Sequence, residues 1–110
     1  MEEREFLALA DAELRRLESA LAQLQDDGAI DFDYELKPGG IIEIEFADGS
    51  KIVVNRHAAA REIWVAARSG GFHFHCEDGR WIGTRDGMGL AETLSRCFTD
   101  QTGMETRLAW

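Results

Sequence analysis

The chain has 110 residues, 45% of them hydrophobic, and a formal net charge of −9. That length and composition fit one domain with one packed core and argue against a disordered chain. No stretch approaches the roughly 18 consecutive apolar residues that a membrane span requires. The N-terminal residues 1–5 are acidic and lack the basic region of a secretory signal, which predicts a cytoplasmic protein or a mature form.

The excess of negative charge lies entirely in the first half of the chain. Residues 1–50 contain 14 acidic and 4 basic residues, whereas residues 51–110 contain 7 acidic and 8 basic residues. An acidic surface repels phosphate backbones and anionic lipid headgroups, so the composition disfavours binding to nucleic acids and to membranes. The same surface attracts cations or the basic patch of another protein.

A helix is predicted over residues 4–25, where apolar side chains recur with a helical period. The apolar stripe consists of Phe6, Leu9, Ala10, Leu14, Leu17, Leu21 and Leu24. Asp11 and Arg15 lie on the opposite face, at the spacing of a helical ion pair. Gly28 is a suitable residue to end this helix, because glycine readily takes the left-handed conformation found there.

Between residues 30 and 82 the apolar period changes to two, which predicts about six short strands. Turn signals separate several of them: Pro38-Gly39-Gly40, Asp48-Gly49, Gly70-Gly71 and Asp78-Gly79. In the fourth strand, Ile63 and Val65 have the core phase and Trp64 has the opposite phase. The sequence therefore predicts that Trp64 lies on the outer face of the sheet.

A second helix is predicted near the C-terminus. Its apolar residues at helical spacing are Leu90, Leu94, Cys97 and Phe98. Gly103 ends it, and residues 104–110 are ambiguous. Short turns favour antiparallel strands, and two amphipathic helices can cover one sheet face. The expected fold is α+β, a two-layer α–β sandwich with the N- and C-terminal helices packed on one face of an antiparallel sheet of about six strands.

Five carboxylates fall where the first helix ends and the first strand begins. They are Glu18, Asp26, Asp27, Asp31 and Asp33, with Glu35 beyond them. Hard oxygen donors suit hard cations, among them Fe³⁺ and, less tightly, Fe²⁺. The alternative is a solvated acidic face that keeps the protein soluble. A calcium loop is excluded, because Leu36 occupies the position of its glycine and Ile42 that of its closing glutamate.

Trp64 is a candidate interface residue, because a tryptophan surrounded by polar groups is typical of binding hot spots. Asn55, His57 and His73 are expected beside it on the helix-free face. The alternative is a different strand register that buries Trp64.

His73 and His75 share one strand face, so they are either metal ligands or plain surface histidines. Cys76 and Cys97 lack the spacing of a metal or redox motif and are predicted to be core residues. No nucleophile motif and no phosphate-binding glycine loop is present, so the chain is not expected to be an enzyme.

Four segments resemble, in order and spacing, the bacterial, CyaY-type branch of the frataxin family. They are Phe6 with Leu9-Ala10-Asp11; Phe46 with Asp48-Gly49-Ser50-Lys51-Ile52 and Asn55-Arg56; Ile63-Trp64-Val65-Ala66 with Gly70-Gly71 and His73-Phe74; and Trp81-Ile82 with Arg85 and Gly87. The resemblance implies an α–β sandwich that binds iron, Fe²⁺ or Fe³⁺, weakly through surface carboxylates. It also implies docking on a cysteine desulfurase and the iron–sulfur scaffold machinery, and regulation of iron–sulfur cluster assembly.

The family's acidic ridge matches Glu18, Asp27, Asp31 and, conservatively, Asp33. Its sheet-face partner positions match Asn55 and Trp64, with His73 in the same region. The ridge is thinner here, because residues that are usually acidic are Ser19, Ala22, Gln23 and Gln25, and His57 stands where glutamine is usual.

The resulting hypothesis is a cytoplasmic iron-binding regulator and possible iron donor, expected to be a monomer without metal. The alternatives are a ferroxidase or metal-dependent enzyme, and an acidic adaptor with no metal role.

Overall fold

The computed structural model describes all residues from 1 to 110. Its elements in chain order are α1 (Glu3–Asp27), β1 (Phe32–Lys37), β2 (Ile41–Phe46), β3 (Lys51–His57), β4 (Glu62–Ala67), β5 (Gly70–Glu77), β6 (Arg80–Gly83) and α2 (Leu90–Thr102). Neither helix contains an apolar stretch of the length that crossing a bilayer would require.

The six strands form one antiparallel sheet in which each strand pairs with its neighbours in the sequence, in the order β1 to β6. Both helices pack on one face of this sheet. The buried side chains of the strands alternate with exposed or half-buried ones, as expected when one sheet face is covered and the other meets solvent. The predicted two-layer α–β sandwich is confirmed.

The core is built from inward residues of the sheet and the facing stripes of both helices. Phe98 of α2 meets Phe32 and Phe46 edge-on, with ring centroids 5.6 and 5.0 Å apart. Phe6 of α1 meets Trp81 of β6 in the same way at 6.0 Å. Burial of each such side chain contributes about 1.5–3 kcal/mol, so these contacts fix both helices firmly on the sheet.

The predicted ion pair between Asp11 and Arg15 does not form. Asp11 instead accepts a hydrogen bond from Arg56 of β3, 45 positions away in the sequence. The Arg56 side chain is mostly buried, and a guanidinium in such a place requires a carboxylate partner. It runs over Gly40, where an added Cβ would lie 2.5 Å from Arg56 Cδ, so a side chain at position 40 would displace the arginine.

The ambiguous C-terminal residues form neither helix nor strand, yet they are fixed to both helices. The amide of Leu108 donates to Ser95 Oγ of α2 at 2.8 Å, and Leu108 itself is buried. Trp110 Nε1 donates to Glu13 Oε2 of α1 at 2.9 Å. Glu13 is only 6% exposed, and its other oxygen accepts hydrogen bonds from Arg16. The tail therefore links the two helices.

Candidate functional site

The five predicted carboxylate ligands, here called the acidic edge, lie along α1 and β1 at one side of the molecule. Helix and strand run in opposite directions, because Gln25 lies beside Phe32 at the start of β1 and Glu18 lies beside Leu36 and Lys37 at its end. Gln25 Nε2 donates to the carbonyl oxygen of Phe32 at 3.1 Å and joins the last turn of α1 to the start of β1. This contact places Asp26, Asp27 and Asp31 at one end of the edge.

Glu18 lies apart from that end, whereas Asp33 directly follows Phe32. Glu18 is nine residues before Asp27, a distance of about 13 Å along a helix axis, and it borders a hollow with Leu36 and Lys37 at the far end of β1. Asp33 is on the outer face of the sheet, directly opposite Glu45 of β2. The carboxylates therefore form an extended row and not a compact cluster.

No three histidine, cysteine, aspartate or glutamate side chains converge as a set of metal ligands. Within the acidic edge, Glu18 is half-buried and the other four residues are exposed. Carboxylates of this kind suit hard cations that keep most of their water, because each carboxylate contributes one or two oxygens and solvent fills the remaining positions. The edge fits a labile, hydrated ion and does not form a cage.

Glu43 lies on the same outer face of the sheet, but it is already paired. Its carboxylate accepts hydrogen bonds from Lys37 at 2.8 Å and from Lys51 at 3.1 Å. These bonds, that from Lys37 first, lower the pKa of Glu43, and the Glu43 carboxylate raises the pKa of Lys37. Glu43 is therefore paired with two lysines, whereas the carboxylates of the acidic edge have no basic partner.

Trp64 projects from the outer face of β4, as predicted. Its neighbours Ile63 and Val65 are 0% and 2% exposed, which confirms the strand phase taken from the sequence. The register places Asn55 of β3 and His73 of β5 directly opposite Trp64. Three of the four predicted partner-binding residues, Asn55, Trp64 and His73, thus lie side by side across three strands.

The indole of Trp64 is more covered than the sequence predicted. His57 stacks on one side, with ring centroids 3.8 Å apart and an interplanar angle of 14°. His73 stacks on the other side, at 4.4 Å and 7°. We call these three parallel rings the aromatic plate. Strand alternation gives the face of a side chain but not its rotamer, so the sequence placed the three residues together without indicating that they stack.

Hydrogen bonds fix the rings of the aromatic plate. Trp64 Nε1 donates to Glu62 Oε1 at 2.8 Å, and the same oxygen lies 3.5 Å from His73 Nδ1. His57 Nδ1 accepts a hydrogen bond from the amide of Ala60 at 3.2 Å. Glu62 was missed by the sequence reasoning, although its position two residues before Trp64 on one strand puts both on the same face.

The remaining candidates for metal or redox chemistry are His75 and the two cysteines, which belong neither to the acidic edge nor to the aromatic plate. His75 lies on the same strand face as His73, but its Nε2 is 3.1 Å from Glu77 Oε2. Cys97 is buried as predicted, whereas Cys76 is only partly buried. Burial raises the pKa of both thiols, so neither has the thiolate character of a reactive cysteine.

Comparisons with known proteins agree with the resemblance seen in the sequence. The Frataxin-like domain family matches residues 1–104. The iron-sulfur cluster assembly protein CyaY of Dechloromonas aromatica is 52% identical over 103 residues, which cover 94% of each chain. That of Ralstonia nicotianae is 47% identical over 107 residues, covering 96% of this chain and 93% of the relative.

Solved structures of the family share the fold. Frataxin from Psychromonas ingrahamii is 26% identical, covers 100% of both chains and has a TM-score of 0.84. Trimeric frataxin from Saccharomyces cerevisiae, in a structure complexed with ferrous iron, is also 26% identical, covers 87% of each chain and has a TM-score of 0.73. These similarities confirm both the family and the sandwich architecture expected from the sequence.

Proposed function

We propose that this chain, which belongs to the frataxin-like family, takes part in iron–sulfur cluster assembly as a non-catalytic iron-binding protein. In this proposal it docks on a cysteine desulfurase and its scaffold partner, regulates their activity and can serve as an iron donor. The observation that carries the proposal is the presence of two different surfaces on one domain, the acidic edge along α1 and β1 and the aromatic plate on β3 to β5. Iron–sulfur cluster assembly is proposed as the process because the relatives are named iron-sulfur cluster assembly proteins.

The acidic edge is proposed to bind iron weakly. Its carboxylates have no cationic partner within the chain, since none of them takes part in a salt bridge. An unpaired carboxylate on an exposed surface binds a hydrated cation without losing an existing contact. The yeast frataxin structure complexed with ferrous iron supports iron as the metal.

The aromatic plate is proposed to supply the contact area for docking. Asn55, His57, Trp64 and His73 form a polar and aromatic surface of the kind that is enriched in interface hot spots. The acidic edge, which β2 separates from the plate, attracts a basic partner by long-range electrostatics that are screened over a Debye length of roughly 8–10 Å in physiological salt. Long-range attraction and short-range contact are then provided by separate groups.

A ferroxidase or a metal-dependent hydrolase is less well supported. A redox site needs carboxylates or histidines that bridge a metal, whereas those of this chain do not converge. His73 is stacked on Trp64, and His75 is bound to Glu77.

A cytoplasmic location and a monomeric state without metal complete the proposal.

Anaerobic titration with Fe²⁺, followed by amide NMR, tests the iron-binding part of the proposal. Shifts are expected in residues 18–33, with the fold unchanged. Shifts at residues 73–75 would instead favour a metal-dependent enzyme. A titration without any shift would contradict iron binding and leave the acidic adaptor as the better explanation.

A further inference from the structure

Both faces of the Trp64 indole are occupied by the chain itself. His57 covers one and His73 the other, with interplanar angles of 14° and 7°. A partner therefore cannot stack a guanidinium or an aromatic ring on Trp64 unless an imidazole leaves first. What Trp64 itself offers a partner is the edge of its ring, flanked by the edges of the two imidazoles.

A ring edge has different binding chemistry from a ring face. The edge of an aromatic ring carries the positive part of its quadrupole, so it favours carbonyl oxygens and the faces of other rings. Cations favour the opposite, negative face. The plate thus fits a partner surface of apolar side chains and carbonyl oxygens better than a lysine or arginine stacked flat.

One carboxylate connects two of the three rings. Glu62 and Trp64 are two residues apart on β4 and share the outer face, and His73 is opposite Trp64 in the register. Glu62 Oε1 accepts the indole N–H at 2.8 Å and lies 3.5 Å from His73 Nδ1. The Glu62 side chain is only 22% exposed, so neighbouring atoms restrict its movement.

The third ring is fixed by the turn between β3 and β4. His57 Nδ1 accepts the amide of Ala60, and the amide of Arg61 donates to the Ala58 carbonyl oxygen at 3.2 Å. Arg61 has a φ of 56°, a left-handed value that closes this turn tightly. His57 Nδ1 is thus held by a backbone amide, and His57 lies opposite Glu62 in the β3–β4 register without a hydrogen bond between the two side chains.

We infer that Glu62 is a positioning residue that holds Trp64 and His73 against His57, so that the partner meets the plate at its edge. This inference rests on the proposed docking function of the same face. Glu62 contributes to docking by fixing the rotamer of Trp64 before the partner arrives, which reduces the conformational entropy lost on binding.

The test compares Glu62→Ala, Glu62→Gln and, as a control of equal charge change, Glu43→Ala on the same sheet face. The Gln variant keeps an oxygen that can accept the indole N–H, whereas the Ala variant does not. Affinity for the cysteine desulfurase is expected to fall about tenfold in Glu62→Ala. Glu62→Gln should recover most of this loss, and Glu43→Ala should change affinity much less.

The indole N–H signal of Trp64 in a ¹⁵N–¹H spectrum separates positioning from a charge effect. It should move in Glu62→Ala and stay close to its wild-type position in Glu43→Ala. Equal affinity losses in Glu62→Ala and Glu43→Ala would overturn the positioning role.

Full affinity in Glu62→Ala, together with weakened binding in Trp64→Ala, would also overturn the positioning role while the docking proposal stands. Full affinity in Trp64→Ala would instead overturn the docking proposal on which the inference rests.

Discussion

Replacing Trp64 with alanine tests the aromatic plate both as a structural element and as a docking surface. A fully exposed side chain can usually be replaced at a cost of about 0.5 kcal/mol or less. Replacing a fully buried tryptophan with alanine lowers the free energy of unfolding by about 3–5 kcal/mol. Trp64 lies between these cases, because it is half-buried and stacked on two rings.

The expected cost follows from the contacts that the substitution removes. An aromatic pair contributes about 0.5–1.5 kcal/mol beyond the area it buries, and Trp64 takes part in two stacked pairs with imidazoles. The Glu62 carboxylate loses the indole N–H but can be reached by water at the edge of the plate, so little penalty remains. We expect Trp64→Ala to lower the free energy of unfolding by about 2 kcal/mol.

Thermal and urea unfolding measure this cost directly. About 2 kcal/mol corresponds to a decrease in Tm of roughly 8–16 °C in a domain near this size. Leu36→Ala is a suitable control, because Leu36 is an apolar strand residue that is 51% exposed and should cost about 0.5 kcal/mol or less. A cost for Trp64→Ala as small as that of the control would show that the rings do not stack in solution. A cost above about 4 kcal/mol would show that Trp64 is a core residue.

The same preparation is then tested for binding to the desulfurase. Truncation of a hot-spot tryptophan costs about 2 kcal/mol or more of binding free energy, which is about thirtyfold in Kd. The loss should appear mainly as faster dissociation, because short-range contacts act after encounter. A folded variant that binds at full strength would refute the assignment of this face to docking.

Three further predictions concern other parts of the molecule. Replacing Asp27, Asp31 and Asp33 together with asparagine should weaken iron binding without lowering Tm, since it relieves repulsion among like charges; an unchanged Fe²⁺ titration would rule out the acidic edge. Deleting residues 104–110 should lower Tm by several degrees, because the burial of Leu108 alone is worth about 1.5–3 kcal/mol; a change below about 2 °C would show that the tail is loose. Glu43→Gln should be less stable than wild type at pH 7. Hydrogen bonds from Lys37 and Lys51 lower the pKa of Glu43, so the ionised carboxylate stabilises the fold at pH values above its ordinary pKa of 4.5. The difference in stability between wild type and variant should disappear as the pH falls through the lowered pKa of Glu43. If the urea midpoints of the two proteins differ as much at low pH as at pH 7, the prediction is wrong.

The architecture was predictable because it depends on local periodicity. The apolar stripe of residues 4–25 and the alternation through Ile63 and Val65 each define a buried face within a few residues of sequence. Turns rich in glycine limit how the strands can connect. A sandwich of two helices on one sheet follows from these patterns without knowledge of any individual contact.

Contacts between distant residues were not predictable in the same way. Asp11 was expected to pair with Arg15, four residues away, but it binds Arg56, 45 residues away, because only Arg56 is brought into a mostly buried position above Gly40. The bond between Trp110 and Glu13 spans 97 residues. Such pairs depend on the finished fold, and no sequence period encodes them.

The candidate site contains both features that follow from local periodicity and contacts that depend on the finished fold. Strand phase was sufficient to place Asn55, Trp64 and His73 on one face, since it depends only on alternation. The stacking of His57 and His73 on Trp64 depends on rotamers and cross-strand spacing, and the role of Glu62 depends on that stacking. The sequence placed the acidic edge along α1 and β1, but its spread became visible only when α1 and β1 were seen to run in opposite directions.

The acidic edge and the aromatic plate are expected to influence each other through charge alone. No chain of side-chain hydrogen bonds joins them, and Glu43, which lies between β1 and β3, is already held by Lys37 and Lys51. A cation bound at the edge cancels part of the negative charge that attracts a basic partner, so iron binding and docking should oppose each other. Because coupling between two binding sites is reciprocal, the partner must weaken iron binding by the same factor. Coupling of this origin decreases as salt shortens the Debye length, which distinguishes it from a conformational change transmitted through the sheet.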